Sequence, residues 1–219
     1  MQKELKELLI SGAEEFGIPL GKEKAESFGL YLKELKRWNK KINLTSLVDD
    51  RDIIIKHFLD SLTPLKYLSK QSFILDLGSG GGFPGVPLKI AEPSLKVVLL
   101  ESSKKKNSFL NHIISALSLK GITAIKQRAE SKEFQLLMNE TFDVVIARAF
   151  TGLEEFIKIG SPYLKKKGML IAMRGRKVRE ELERCGKLLK ESKLKLSQLV
   201  ELSLPEDEGE RGLVFLTRI

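Results

Sequence analysis

The sequence predicts an α/β fold: a mainly parallel sheet ending in an antiparallel pair over residues 67–219, preceded by a helical extension over 1–66. Three observations lead there. Before residue 70 the apolar residues recur at helical spacing, and after it short apolar and β-branched runs alternate with helical stretches. The first such run, ILDLGSGGGFPGVPL (74–88), passes from a strand straight into a glycine-rich turn. Alternation of this kind lays strands side by side in parallel, with helices on both faces. A chain of 219 residues, 42% hydrophobic, is long and apolar enough for one sizeable packed domain with an appendage.

Each element has its own signal. Leu5, Leu8, Leu9, Ala13 and Phe16 form a first helical stripe, which Gly17 and Pro19 stop. Ala25, Phe28, Leu32 and Leu35 form a second, ending at Trp38, and a third helix is expected over Arg51–Leu62 with Pro64 closing it. Strands are expected at 73–77, 96–100, 122–126, 142–147 and 169–173. Between the second and third, Phe109, Leu110, Ile113, Ile114 and Leu117 mark the buried face of a helix. After a helical 176–191, extended runs at 193–203 and 212–218 flank the polar turn PEDEGERG, which suits a closing antiparallel pair.

Thirty-eight Lys and Arg against 29 Asp and Glu leave a net charge of +9, which favours a polyanionic partner, either nucleic acid or an acidic membrane surface. A lysine-rich solvated surface, of the kind found in thermophiles, is the competing reading. No uncharged apolar run is long enough to span a bilayer, and the amphipathic start carries acidic residues unlike a signal peptide. The single cysteine, Cys185, provides neither an internal disulfide nor a metal cluster. A soluble, cytoplasmic, metal-free monomer is the expectation.

Gly80-x-Gly82-x-x-Gly85 matches the dinucleotide fingerprint letter for letter, but two details oppose a pyrophosphate there. Pro84 has no N–H to donate, and Asp76 brings a carboxylate toward the anion. An aspartate ahead of Gly-x-Gly-x-Gly suits S-adenosylmethionine, whose cationic groups and ribose diol carry no phosphate. Asp76 would hold the methionine end directly or through water, Gly78 and Gly80 would make room, and Glu101, ending the next strand, would accept the ribose hydroxyls.

WNKKINLT (38–45), HFLDSL (57–62), DLGSGGGFPGVPL (76–88) and ARAF (147–150) together resemble a known set of motifs, in the same order. They are similar to those of the bacterial methyltransferases that modify guanine N7 in small-subunit (16S) ribosomal RNA, the glucose-inhibited division B family. That resemblance implies a Rossmann-like methyltransferase fold with an N-terminal helical extension, S-adenosyl-L-methionine as cofactor, and 16S rRNA or the small ribosomal subunit as partner. It also implies cofactor contacts at Gly78, Phe83, Ala129, Glu130 and Arg148. The chain departs from the family in two places, with Arg174-Gly175 where lysine-glycine is common and ERGLV (210–214) where ERHLV is common.

Arg148 ends an apolar strand, placed to grip the methionine carboxylate or an RNA phosphate with two prongs and so to position the reactants. His57 and Asp60 share a helical face, Asn39 lies near a turn, and each reads equally as a substrate contact or as part of a structural hydrogen-bond network. Lys104, Lys105, Lys106, Arg174 and Arg176 follow strand ends, where they would meet RNA phosphates. Guanine N7 has no proton, so methyl transfer to it needs no general base. The chain also has neither an Asn-Pro-Pro-Tyr-like motif nor a Pro-Cys nucleophile. Two rival readings are a methyltransferase with a non-RNA substrate, and a non-catalytic RNA-binding module with a vestigial cofactor pocket.

Overall fold

The computed structural model describes every residue except Ala149 and Thr151, with Asp207 described by its backbone alone. Three N-terminal helices come first: α1 (Lys3–Glu15), α2 (Lys22–Asn39) and α3. Helix α3 is composite, running as Asp50–Ile53, then a π-helical stretch Ile54–Leu59, then Asp60–Leu62. The strands are β1 (Phe73–Leu77), β2 (Lys96–Glu101), β3 (Ile122–Lys126), β4 (Phe142–Arg148), β5 (Leu164–Arg174), β6 (Leu194–Ser203) and β7 (Glu210–Arg218). Between them lie α4 (Gly85–Ala91), α5 (Lys104–Ala116), α6 (Lys132–Met138), α7 (Leu153–Gly160), α8 (Val178–Arg184) and α9 (Gly186–Glu191).

One seven-stranded sheet has the order β3-β2-β1-β4-β5-β7-β6, the first five strands parallel and β7 antiparallel to both neighbours. Side chains alternate across it, as the two-residue strand period requires. Ile74, Val144 and Ile146 face a core shared with α1 to α5, while Leu75, Leu77, Val145 and Ala147 face a second core with α6 to α8. The helical extension therefore shares its core with one face of the sheet. Tyr31 of α2 is the hub of that contact. Its ring stacks on Phe58 of α3 at 5.1 Å and on Phe83 of the glycine turn at 5.6 Å, and its hydroxyl donates to the Gly81 carbonyl.

Strand β5 begins five residues earlier than the periodicity predicts, because Leu164 pairs with Phe142 and a bulge carrying the exposed Lys165, Lys166 and Lys167, the last at φ +65°, precedes the register that resumes at Met169. Lys165 of that bulge pairs with Asp143 of β4 at 3.0 Å. Among the described residues no helix is long and apolar enough to cross a membrane.

Candidate functional site

Strand order reverses between β1 and β4, so the turns that follow these strands flank the switch point where parallel sheets bind ligands. After β1, the glycine turn is hydrogen-bonded almost entirely within the protein. The amides of Gly78 and Ser79 donate to the Leu100 carbonyl, those of Gly82 and Phe83 to the Ser79 carbonyl, and that of Val86 to Gly82. Gly80 N–H donates to Glu101 Oε2 and Gly85 N–H to Asp76 Oδ2, both at 3.0 Å. A pyrophosphate needs several free amides at this turn, and two of them already face carboxylates. The literal dinucleotide fingerprint is therefore structurally inert.

The glycines have separate reasons. Gly80 has φ +54°, and a Cβ there would meet nothing nearer than 3.8 Å. Gly85 is a packing glycine, whose Cβ would lie 2.4 Å from Leu99 Cδ2 and 2.8 Å from Asp76 Oδ2. Only the first of these two leaves space for a ligand.

Asp76 is fully buried, and its Oδ1 has no partner among the described residues. Burial pushes its pKa up to about 7, against the opposing pull of the Gly85 amide, Ser79 and the Arg148 charge. A carboxylate raised in the folded state costs stability when ionised, and that cost grows as pH rises from its ordinary 3.8 through 7. A cationic ligand group near Oδ1 would relieve it. Glu101 accepts from Gly80 N–H and, at 2.7 Å, from Ser103 N–H, so it ties the first turn to the second. Two carboxylate lone-pair positions remain for ribose hydroxyls.

A cavity of about 250 Å³ opens beside these groups, lined by Gly78, Glu101, Ala129, Glu130 and Phe150 among others. The Ala129 carbonyl accepts from the buried Tyr163 hydroxyl, which leaves its N–H as the group to read an adenine edge. Phe83, expected as a cofactor contact, turns its ring into the aromatic core between Tyr31 and His57. Its N–H is taken by Ser79, so its carbonyl is what it can offer a ligand.

Arg148 differs most from expectation. Its Nη1 donates to the Lys56 carbonyl at 2.7 Å and to Asp60 Oδ2 at 3.2 Å, while Nη2 lies 2.8 Å from His57 Nδ1. The guanidinium also sits over the Phe83 ring, 4.8 Å from its centroid. A two-pronged grip on a carboxylate needs free terminal nitrogens, and here both are engaged by α3. The π-helical stretch makes this possible, since it opens the Lys56 carbonyl to a donor from the side. Asp60, also buried, accepts on its other oxygen from Arg211 Nε at 3.2 Å.

His57 Nδ1 faces two groups with opposite demands: Arg148 Nη2, which only donates, at 2.8 Å, and the Lys56 carbonyl, which only accepts, at 3.2 Å. The shorter contact favours Nδ1 as acceptor, with the ring proton on Nε2 facing Thr45 Oγ1 at 2.6 Å. Burial first, and the Arg148 charge second, push its pKa down to about 3. Asn39 caps the adjoining loop, donating to the Thr45 carbonyl and accepting from Leu44 and Thr45 N–H. Asn39 and His57 are thereby both held in hydrogen-bond networks within the protein.

A groove of about 480 Å³ lies on the other side of Phe150, lined by His57, Asp60, Arg148, Met173, Arg174 and Arg211 among others. Arg174 holds the Phe150 carbonyl at 2.9 Å and pairs with Glu181 at 2.7 Å. Arg176 is exposed and pairs with Glu210 at 2.8 Å, facing a neighbouring groove. Lys104, Lys105 and Lys106 open α5 directly beyond the Glu101 turn, with Lys104 and Lys105 exposed. Of the ARAF motif, Ala149 lies outside the described residues. Sequence reasoning missed Tyr31, Arg211 and Phe150. Tyr31 shares a helical stripe with Phe28 and Leu35, and Phe150 stands two residues past the end of β4.

Residues 24–212 match the GidB family, described as rRNA small subunit methyltransferase G. The chain belongs to that family. It is 38% identical to "Ribosomal RNA small subunit methyltransferase G" of Thermoanaerobacter sp. (strain X514), over all of this chain and 92% of the relative. It is also 38% identical to the protein of the same name from Geobacter sp. (strain M21), over all of both chains. By fold it is similar to a SAM-dependent methyltransferase from Aquifex aeolicus, with TM-score 0.60, 16% identity and coverage of 86% of this chain and 98% of the other. It is likewise similar to M. jannaschii TYW2 in complex with AdoMet, with TM-score 0.57, 17% identity and coverage of 74% and 76%. These two likenesses establish the Rossmann-like methyltransferase fold.

The family's usual histidine at position 212 is excluded here by packing. A Cβ on Gly212 would lie 2.5 Å from Val178 Cγ1, and Val178 is buried at the start of α8. Gly212→His should destabilise the protein by about 1–3 kcal/mol, with part of the loss recovered by adding Val178→Ala. Urea unfolding of both single variants and the double variant checks this; additive losses would contradict it. For His57, ring nitrogen NMR shifts should stay constant from pH 7 to pH 5, with Nε2 protonated throughout. Because the folded pKa is lowered, neutral His57 supports the fold above about 6.5, and that support declines as pH falls toward 3. A ring titrating near 6.5 would contradict the assignment.

Proposed function

We propose that the protein transfers the methyl group of S-adenosyl-L-methionine to N7 of a guanine in 16S ribosomal RNA, acting as a cytoplasmic monomer. The observation that carries this reading is the glycine turn, whose amides are closed to phosphate while a buried carboxylate oxygen beside it has no partner. Those residues fit the cofactor. Asp76 Oδ1 suits a cationic methionine end, held directly or through water, with Gly78, Gly80 and the Phe83 carbonyl beside it. Glu101 takes the ribose diol, and Ala129 N–H with Glu130 takes the adenine.

When bound, the cofactor supplies an electrophilic methyl to an acceptor lone pair, the carbon–sulfur electron pair staying on sulfur and no proton moving. The chain's own residues then need only align two ligands, which supplies most of the rate. Arg148 does so indirectly, by fixing α3 against the end of β4. Lys104, Lys105 and Lys106 on one side and the net positive lining of the groove on the other favour RNA phosphates. A non-RNA substrate would leave that charge without a role.

Labelled methyl transfer to ribosomal RNA, followed by nucleoside mass spectrometry, tests the proposal. The product should be N7-methylguanosine, and the single-turnover rate should show no limb near pH 6.5 because no histidine serves as base. Gly80→Val, folded by circular dichroism, should weaken calorimetric cofactor binding by about tenfold or more, since a branched side chain cannot adopt its φ without strain. A methyl on an exocyclic amine or on carbon, or unchanged cofactor affinity in Gly80→Val, would contradict the proposal.

A further inference from the structure

Phe150 alone, among the described residues, is common to the linings of the 250 Å³ cavity and the 480 Å³ groove. It follows β4, and its ring lies over Gly78, which follows β1, so it bridges the switch point itself. A Cβ on Gly78 would sit 3.0 Å from Phe150 Cδ2. If the cavity holds the cofactor, as proposed above, any acceptor in the groove must approach it past this ring.

From this we infer that the Phe150 ring is the face on which the acceptor guanine stacks, setting the plane of the base so that N7 points toward the cofactor cavity. The inference rests on the proposed activity. Three features suit the ring to this role. First, the backbone is tied down at the ring and just after it: Arg174 Nη1 donates to the Phe150 carbonyl at 2.9 Å, and Leu153 N–H donates to Glu181 Oε2 at 3.0 Å. Arg174 Nη2 pairs with that same Glu181 oxygen at 2.7 Å, which joins the two ties. Second, Phe156 meets the ring edge-on at 6.2 Å between centroids, fixing its tilt. Third, the groove beyond it is lined by Arg148, Arg174 and Arg211 against the single carboxylate of Asp60, so its lining is net positive and favours a nucleotide's phosphate through the field where the ring takes its base. Aromatic stacking accepts any base, so Phe150 positions the guanine and does not select it. A base drawn from a helix must leave its stack, and a replacement platform offsets part of that cost.

Phe150→Leu keeps apolar bulk against Phe156 and removes the ring; Phe150→Tyr keeps the ring. Single-turnover methylation of small-subunit rRNA should be slower by about ten- to a hundredfold in Phe150→Leu, and within about threefold of wild type in Phe150→Tyr. Calorimetric affinity for S-adenosylmethionine should stay within about threefold in both, and thermal melting should show both folded. Three outcomes overturn the inference. In one, Phe150→Leu is as fast as wild type, so the ring only fills space. In another, Phe150→Leu loses cofactor affinity in proportion to its rate, so the ring serves the cofactor. The third is a wild-type protein that binds cofactor and methylates no RNA, which overturns the proposed activity and this inference together.

Discussion

The largely buried guanidinium of Arg148 joins the two parts of the molecule that must cooperate. It leaves the end of β4, crosses the Phe83 ring and makes contacts with Lys56, His57 and Asp60 on α3. Its charge is balanced by Asp60, which also receives Arg211 from β7. Four elements distant in sequence are thus held at one point beside the switch of the sheet. The arrangement is costly to disturb at its centre, because removing Asp60 would leave two arginines without their shared carboxylate, a loss of about 3–5 kcal/mol. It also explains His57, which is neutral and oriented because the arginine requires an acceptor from it.

The glycine turn shows the same economy of hydrogen bonds. Most of its amides are satisfied by Leu100, Ser79, Gly82, Glu101 and Asp76, so the loop is largely held before any ligand arrives. Rigidity of this kind favours binding by reducing the ordering that a ligand would otherwise impose. The exception is Asp76 Oδ1, a buried acceptor left open. One unsatisfied polar atom in an otherwise closed turn is where a ligand's charge has the most effect.

Much of the fold was legible in the sequence because each signal was local. Strand β1 and its turn, the apolar stripe of α5 and the closing antiparallel pair each lie within about twenty-five residues, and each has its own period or punctuation. The core shared by the extension and the sheet was not legible. Tyr31 meets Gly81 fifty residues on, and Arg148 meets Lys56 ninety-two residues back, so no window of the sequence contains either pair. Residue type misled as well. A strand-end arginine reads as a ligand contact, and only the position of α3 shows that its donors are already engaged. His57 and Asp60 were legible as a pair on one helical face, but their partner on β4 was not. Phe150 carries no local signal of its own, because a lone aromatic two residues past a strand end has neither a period nor a partner in sequence.

The central claim is that Arg148 fixes α3 to the carboxyl edge of the sheet and so builds the groove. Hydrogen exchange read by mass spectrometry on Arg148→Gln tests it most directly. Exchange across residues 50–62 should accelerate by about tenfold or more, while 96–101 and 122–126, whose strands do not touch Arg148, keep wild-type protection. Unchanged protection of 50–62 in that variant would contradict the account.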